Sequence, residues 1–140
     1  MRIAYNVPLQ VKNGDGSFVI NNKIGEILKQ FNIENYLSFF DNEYVDGAKV
    51  YILSKIDQKI RLFSFDCVFS NLFIRDYSIY YIRLDEISNI CISHTHKQAV
   101  SECTEINISF KKFDKIKLNA ILGDFDINRD KILQYIENLI

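Results

Sequence analysis

The chain has 140 residues, 48% of them apolar, which makes one ordinary domain with enough core to fold without a metal or a disulfide. Its formal net charge of -1 gives no global attraction to a polyanion, and the basic stretch KKFDKIK, Lys111 to Lys117, is short and interrupted by Asp114, so no nucleic-acid partner is expected. Three cysteines cannot all pair with one another, and MRIAYNVPLQ lacks the apolar run of a signal peptide or membrane span, so free thiols in a reducing cytoplasm are the expectation.

In chain order, IAYNVPLQV and SFVI are extended pieces joined by Asn13-Gly14-Asp15-Gly16, residue types that tolerate positive φ, and they predict an N-terminal hairpin over 1–21. NNKIGEILKQF spaces Ile24, Ile27, Leu28 and Phe31 at helical intervals and predicts a short amphipathic helix despite Gly25. Seven β-branched and aromatic runs follow: YLSFF, AKVYILS, KIRLFSFDCVF, YSIYYIRL, NICISHT, EINISF and KIKLNAI. Their connections are short and turn-like, so they predict an antiparallel meander, because parallel strands need long crossovers. DFDINRDKILQYIENLI closes the chain as a helix, with Asp126 as its cap and Ile132, Leu133, Ile136, Leu139 and Ile140 on one apolar face. The fold class is α+β and mostly antiparallel β, in a single domain over 1–140. The abundance of Ile, Asn, Lys, Phe and Tyr with a single proline suggests an AT-rich genome.

The order of these elements resembles the bacterial pleckstrin-homology-like (PH-like) domains. NKIGEILKQF is similar to the leading helix of that family, YLSFFDNEYVDGAK to its strand, acidic turn and second-strand start, YYIRLDEI to a later strand end, and KILQYIENLI to its closing helix. The resemblance covers 22–140, with 1–21 as a hairpin extension. It implies a bent, partly open barrel of about seven strands in two near-orthogonal sheets, capped by the C-terminal helix, a fold that carries many unrelated binding functions.

Three groups of residues invite a chemical reading. In CISHTHKQAVSEC, strand alternation from Asn89 to Thr95 puts Cys91 on one face and Ile92, His94 and His96 on the other. The two histidines, with Cα atoms roughly 6.5 Å apart, supply half of a tetrahedral zinc shell, to which Cys103 can add a third ligand across the hairpin. The plainer reading makes Cys91 a small core residue and the histidines a solvent-facing strand end. In KVYILSKIDQKIR, Lys49, Lys59 and Arg61 resemble the basic pattern with which eukaryotic PH domains grip a phosphoinositide headgroup, although Asp57 opposes a polyanion. Their plainer reading is the charged outer face of a hairpin. Asp124, Asp126, Asn128 and Asp130 imitate a calcium loop, but Arg129 and Tyr135 stand where that loop needs glycine and a bidentate glutamate, and helix capping explains the acidic residues more simply.

No G-x-S-x-G, H-E-x-x-H, Walker loop or dinucleotide fingerprint is present, and Cys91 and His94 alternate to opposite faces, so the chain is not expected to be an enzyme or to need a cofactor. The expectation is a non-enzymatic protein-binding or self-assembling module, for which a compact immunity protein that neutralises a toxin is one specific form. A PH-like sheet implies an exposed edge strand and a groove beside the C-terminal helix as contact surfaces, and part of the aromatic-rich runs ENYLSFF and FSNLFIRDYSIYY is expected to add to them while most of it is core. Peripheral contact with an anionic membrane through Lys49, Lys59 and Arg61 is the alternative. A metal-dependent enzyme built on His94 and His96 is the remote one.

Overall fold

Each of the seven central runs forms a strand, and each is longer or shorter than its sequence signal by a few residues at most. The structure is a computed structural model and describes residues 1–7, 10–12, 18–20, 22–40, 48–68, 73–97, 101–123 and 128–139, with only the backbone course of 10–12, 18–20, 22, 48, 68, 73, 95–97, 101–103 and 123. Among these residues the elements are β1 (Arg2–Tyr5), β2 (Gln10–Lys12), β3 (Phe18–Ile20), α1 (Asn22–Gln30), β4 (Leu37–Phe40), β5 (Ala48–Ile56), β6 (Lys59–Val68) and β7 (Phe73–Arg83). After a 3-10 turn at Leu84–Glu86 come β8 (Ile87–Lys97), β9 (Ser101–Phe110), β10 (Lys117–Gly123) and α2 (Arg129–Glu137). The fold is α+β and mostly antiparallel. No helix of the described residues is long and apolar enough to cross a membrane.

A five-stranded sheet runs in the order β1-β4-β5-β6-β7, and a three-stranded sheet in the order β10-β9-β8. The two meet where the Ile121 amide donates to the Met1 carbonyl at 3.1 Å, and among the described residues they do not close into a barrel. Strand alternation gives the larger sheet two buried faces. On one, Leu37, Phe39, Leu53, Leu62 and Ile82 pack against Ile106, Ile108, Leu118 and Leu122 of the smaller sheet and against Ile132, Ile136 and Leu139 beside it. On the other, Val50, Ile52, Phe63, Phe65 and Cys67 are covered by Ile24 and Leu28 of α1. Fully burying such an Ile or Leu contributes about 1.5–3 kcal/mol, so a helix of nine residues is held by its packing rather than by its own propensity.

The N-terminal expectation changes in one respect. IAYNVPLQV is not one extended arm of a hairpin: Asn6 takes a left-handed φ of 56°, and β1 leaves to pair with β4 while β2 pairs with β3. An asparagine tolerates that conformation, and its side chain uses it, donating to Asn35 Oδ1 at 3.1 Å while its own Oδ1 accepts from the Tyr36 amide at 2.9 Å. Arg2–Tyr5 therefore belongs to the main sheet. The Asn13-Gly14-Asp15-Gly16 turn lies outside the described residues.

Candidate functional site

The β5–β6 hairpin turns at Asp57 and Gln58, with Asp57 at φ 55°, and this two-residue loop fixes the register of everything behind it. Lys59 stands opposite Ile56 and Arg61 opposite Ser54, whereas Lys49 stands opposite Asp66 at the far end of the hairpin. Alternation then puts Lys59 and Arg61 on the α1 side of the sheet and Lys49 on the other. The three cations do not meet at one loop mouth. Arg61 is also engaged: its guanidinium donates to the Phe31 carbonyl at 3.2 Å, just past the end of α1, and lies 5.7 Å from the centroid of the Tyr81 ring.

On the β8–β9 hairpin, His94 is opposite Thr104, His96 opposite Glu102, and Cys103 opposite Thr95. Cys103 is thus one register position away from either histidine. The side chains of His96 and Cys103 lie outside the described residues, and the three-ligand reading lies there with them. His94 Nδ1 is 2.9 Å from the buried Thr104 hydroxyl, which also accepts from Arg129 Nη2 at 2.6 Å. Among the described residues, no three His, Cys, Asp or Glu side chains converge as metal ligands would. Cys91 is exposed rather than core: its neighbours Ile90 and Ile92 take the inner face, opposite Ile108 and Ile106, and leave Cys91 outside beside Asn107.

The residues Asp124 and Asp126 also lie outside the described ones, and α2 is preceded by Asn128 at φ 63° with no side-chain cap. A cavity of about 420 Å³ opens beside the 3-10 turn and the start of β8, lined by Leu84, Asp85, Ile87, Ser88, Asn89, Ile90 and Leu139. Its one carboxylate is already committed. Asp85 accepts from Arg83 at 2.7 and 3.1 Å, and this hydrogen bonding holds its carboxyl below the usual range.

The surface with the clearest chemistry is β7, which borders the five-stranded sheet and, among the described residues, has a neighbour on one side only. A bulge near Arg75 breaks its pairing with β6 between Asp66 and Cys67, and from Asp76 to Arg83 the ladder is regular. Charged side chains, proline and bulges discourage further pairing at an edge. Here the charges of Arg75, Asp76 and Arg83 and the bulge stand at the two ends of the strand, and Tyr77 to Ile82 between them carries no charge and no proline. On its α1 side it presents Tyr77, Ile79 and Tyr81; the two tyrosines are 41% and 64% exposed and are the exposed aromatic residues of the described structure. Tyr77 stacks on Phe65 with ring centroids 5.4 Å apart, and the Arg61 guanidinium lies against the Tyr81 ring. The run FSNLFIRDYSIYY points to this strand by composition, while the sequence alone does not say that it lies at a border.

No protein-family model, no curated protein and no solved structure matches this chain.

Proposed function

We propose that the chain is a non-enzymatic, cytoplasmic binding module of PH-like architecture that takes up an extended polypeptide segment along the free edge of β7. The PH-like reading is supported by strand order: β4 to β7 followed by β8 to β10 make a four-plus-three arrangement in two sheets, closed by α2, with β1 added at the border. The binding reading rests on one observation. A regular, uncharged-centred border strand carries two half-exposed to exposed tyrosines that are already oriented by Phe65 and Arg61. Main-chain groups of such an edge supply affinity to any extended strand, and the side chains on its face select the sequence. Tyrosine suits this role because a large, partly apolar ring loses little conformational freedom on binding.

Lysate capture tests the reading. Immobilised wild-type protein and a Tyr77→Ser/Tyr81→Ser variant with the same circular dichroism spectrum are exposed to lysate of the source cells. The wild type should retain proteins that the variant loses, and a captured set indifferent to the substitutions contradicts the reading.

A further inference from the structure

We infer that the strand taken up by β7 is the β7 of a second copy of this chain, paired antiparallel about a two-fold axis at Ile79. The inference rests on the edge-binding reading and specifies its occupant. In an antiparallel pair, residues directly opposite share a face, so a symmetric pairing must be centred on one residue. The regular part of the strand, Asp76 to Arg83, then admits few registers.

Centring on Ile79 places Tyr77 of each copy opposite Tyr81 of the other, so each copy's two exposed tyrosines are both covered by rings of its twin. Ile79 meets Ile79 on the axis. Tyr80 falls opposite Ser78, and Asp76 opposite Ile82, so no like charges face each other between Asp76 and Ile82. Arg83 lies beyond that stretch with its charge held by Asp85, and Arg75, its counterpart, sits at the bulge where the ladder ends. Centring on Asp76 instead opposes two carboxylates. Centring on Ser78 runs into the bulge and leaves Tyr81 of each copy beside the irregular Arg75. Ile79 is the one centre that sets Tyr77 of each copy against Tyr81 of the other, and pairing there makes a closed, isologous contact, the commonest symmetry of self-association, in which two five-stranded sheets become one continuous sheet.

Sedimentation velocity over a concentration series tests this with four samples: wild type, Tyr77→Lys/Tyr81→Lys, Tyr77→Glu/Tyr81→Glu, and an equal mixture of the two variants. The wild type should show a concentration-dependent dimer. Each variant alone should dimerise roughly 10- to 100-fold more weakly, because like charges then stand opposite and the ring pairs are gone. The mixture should recover the dimer, since each lysine then faces a glutamate; this recovery also shows that both variants are folded. A wild type that stays monomeric, variants that dimerise as well as the wild type, or a mixture that does not associate overturns the self-pairing. The capture assay separates the two levels. If the wild type is monomeric but Tyr77→Ser/Tyr81→Ser still strips a captured protein, the self-pairing alone fails; if neither assay responds, the edge-binding reading fails with it.

Discussion

Two thiols in this fold sit in opposite surroundings. Cys67 of β6 is buried in the cluster that includes Ile24 and Leu28 of α1, and burial, with Asp66 adding repulsion, pushes its pKa up from 9.0 to about 11. Cys91 is exposed on the outer face of β8. Because the thiolate is the reactive form, Cys91 should be alkylated by a maleimide at pH 7.5 while Cys67 stays unmodified until the chain unfolds, as read by peptide mass mapping. The same shift has a stability consequence with a defined sign. The unfolded thiol ionises near 9.0 and the folded one near 11, so the unfolded state holds fewer protons between these values and stability falls as pH rises through that window. Tyr36 and Tyr135, both raised by burial, extend the decline in the same direction. Urea titrations between pH 8 and 11 should show a falling midpoint, and Cys67→Ala should flatten the slope between 9 and 11. At this scale the sequence was least legible. Alternation correctly separated Cys91 from His94, but which face lies inward is set by Ile90 and Ile92 packing on Ile106 and Ile108, a long-range fact.

At the scale of elements, α2 is fastened to the five-stranded sheet by more than its apolar stripe. Tyr135 Oη accepts from the Lys55 amide at 2.9 Å and donates to the Asn35 carbonyl at 3.2 Å, while Lys55 Nζ donates to the Asn138 carbonyl at 2.6 Å. Tyr135→Phe keeps the ring and its edge contact with Tyr5 but leaves the Lys55 amide without its acceptor, so it should cost about 1–2 kcal/mol in a denaturant titration. Leu28→Ala, which opens a cavity under α1, should cost more, about 2–5 kcal/mol. The elements themselves were largely legible. Seven apolar runs became β4 to β10 because their β-branched and aromatic residues alternate, and the helical spacing of Ile24, Ile27 and Leu28 became α1. What local pattern could not supply was pairing. The basic residues of KVYILSKIDQKIR look adjacent in sequence, yet the two-residue turn at Asp57 sends Lys49 to Asp66 and Arg61 to Ser54. Likewise, nothing short of the whole sheet says that IAY joins β4, or that β7 is a border.

At the scale of the whole molecule, β5 and β6 carry buried residues on both faces: Leu53 and Leu62 toward the smaller sheet, Ile52 and Phe63 toward α1. Neither cluster can lose its packing without removing support from the strands that hold the other. A single cooperative transition is therefore expected: Leu122→Ala, on one side, and Leu28→Ala, on the other, should each move the same melting curve rather than split it into two. The border at β7 is where this mutual support stops, since among the described residues the strand is paired on one side only and its tyrosines Tyr77 and Tyr81 are exposed. Hydrogen exchange followed by mass spectrometry, on the wild type at low and high protein concentration, addresses the central claim most directly. Amides of peptides spanning Asp76 to Arg83 should become protected as concentration rises, with β8 unchanged and no such gain in Tyr77→Glu/Tyr81→Glu. Protection that is independent of concentration, or that appears along β8 instead, would contradict pairing through the β7 edge.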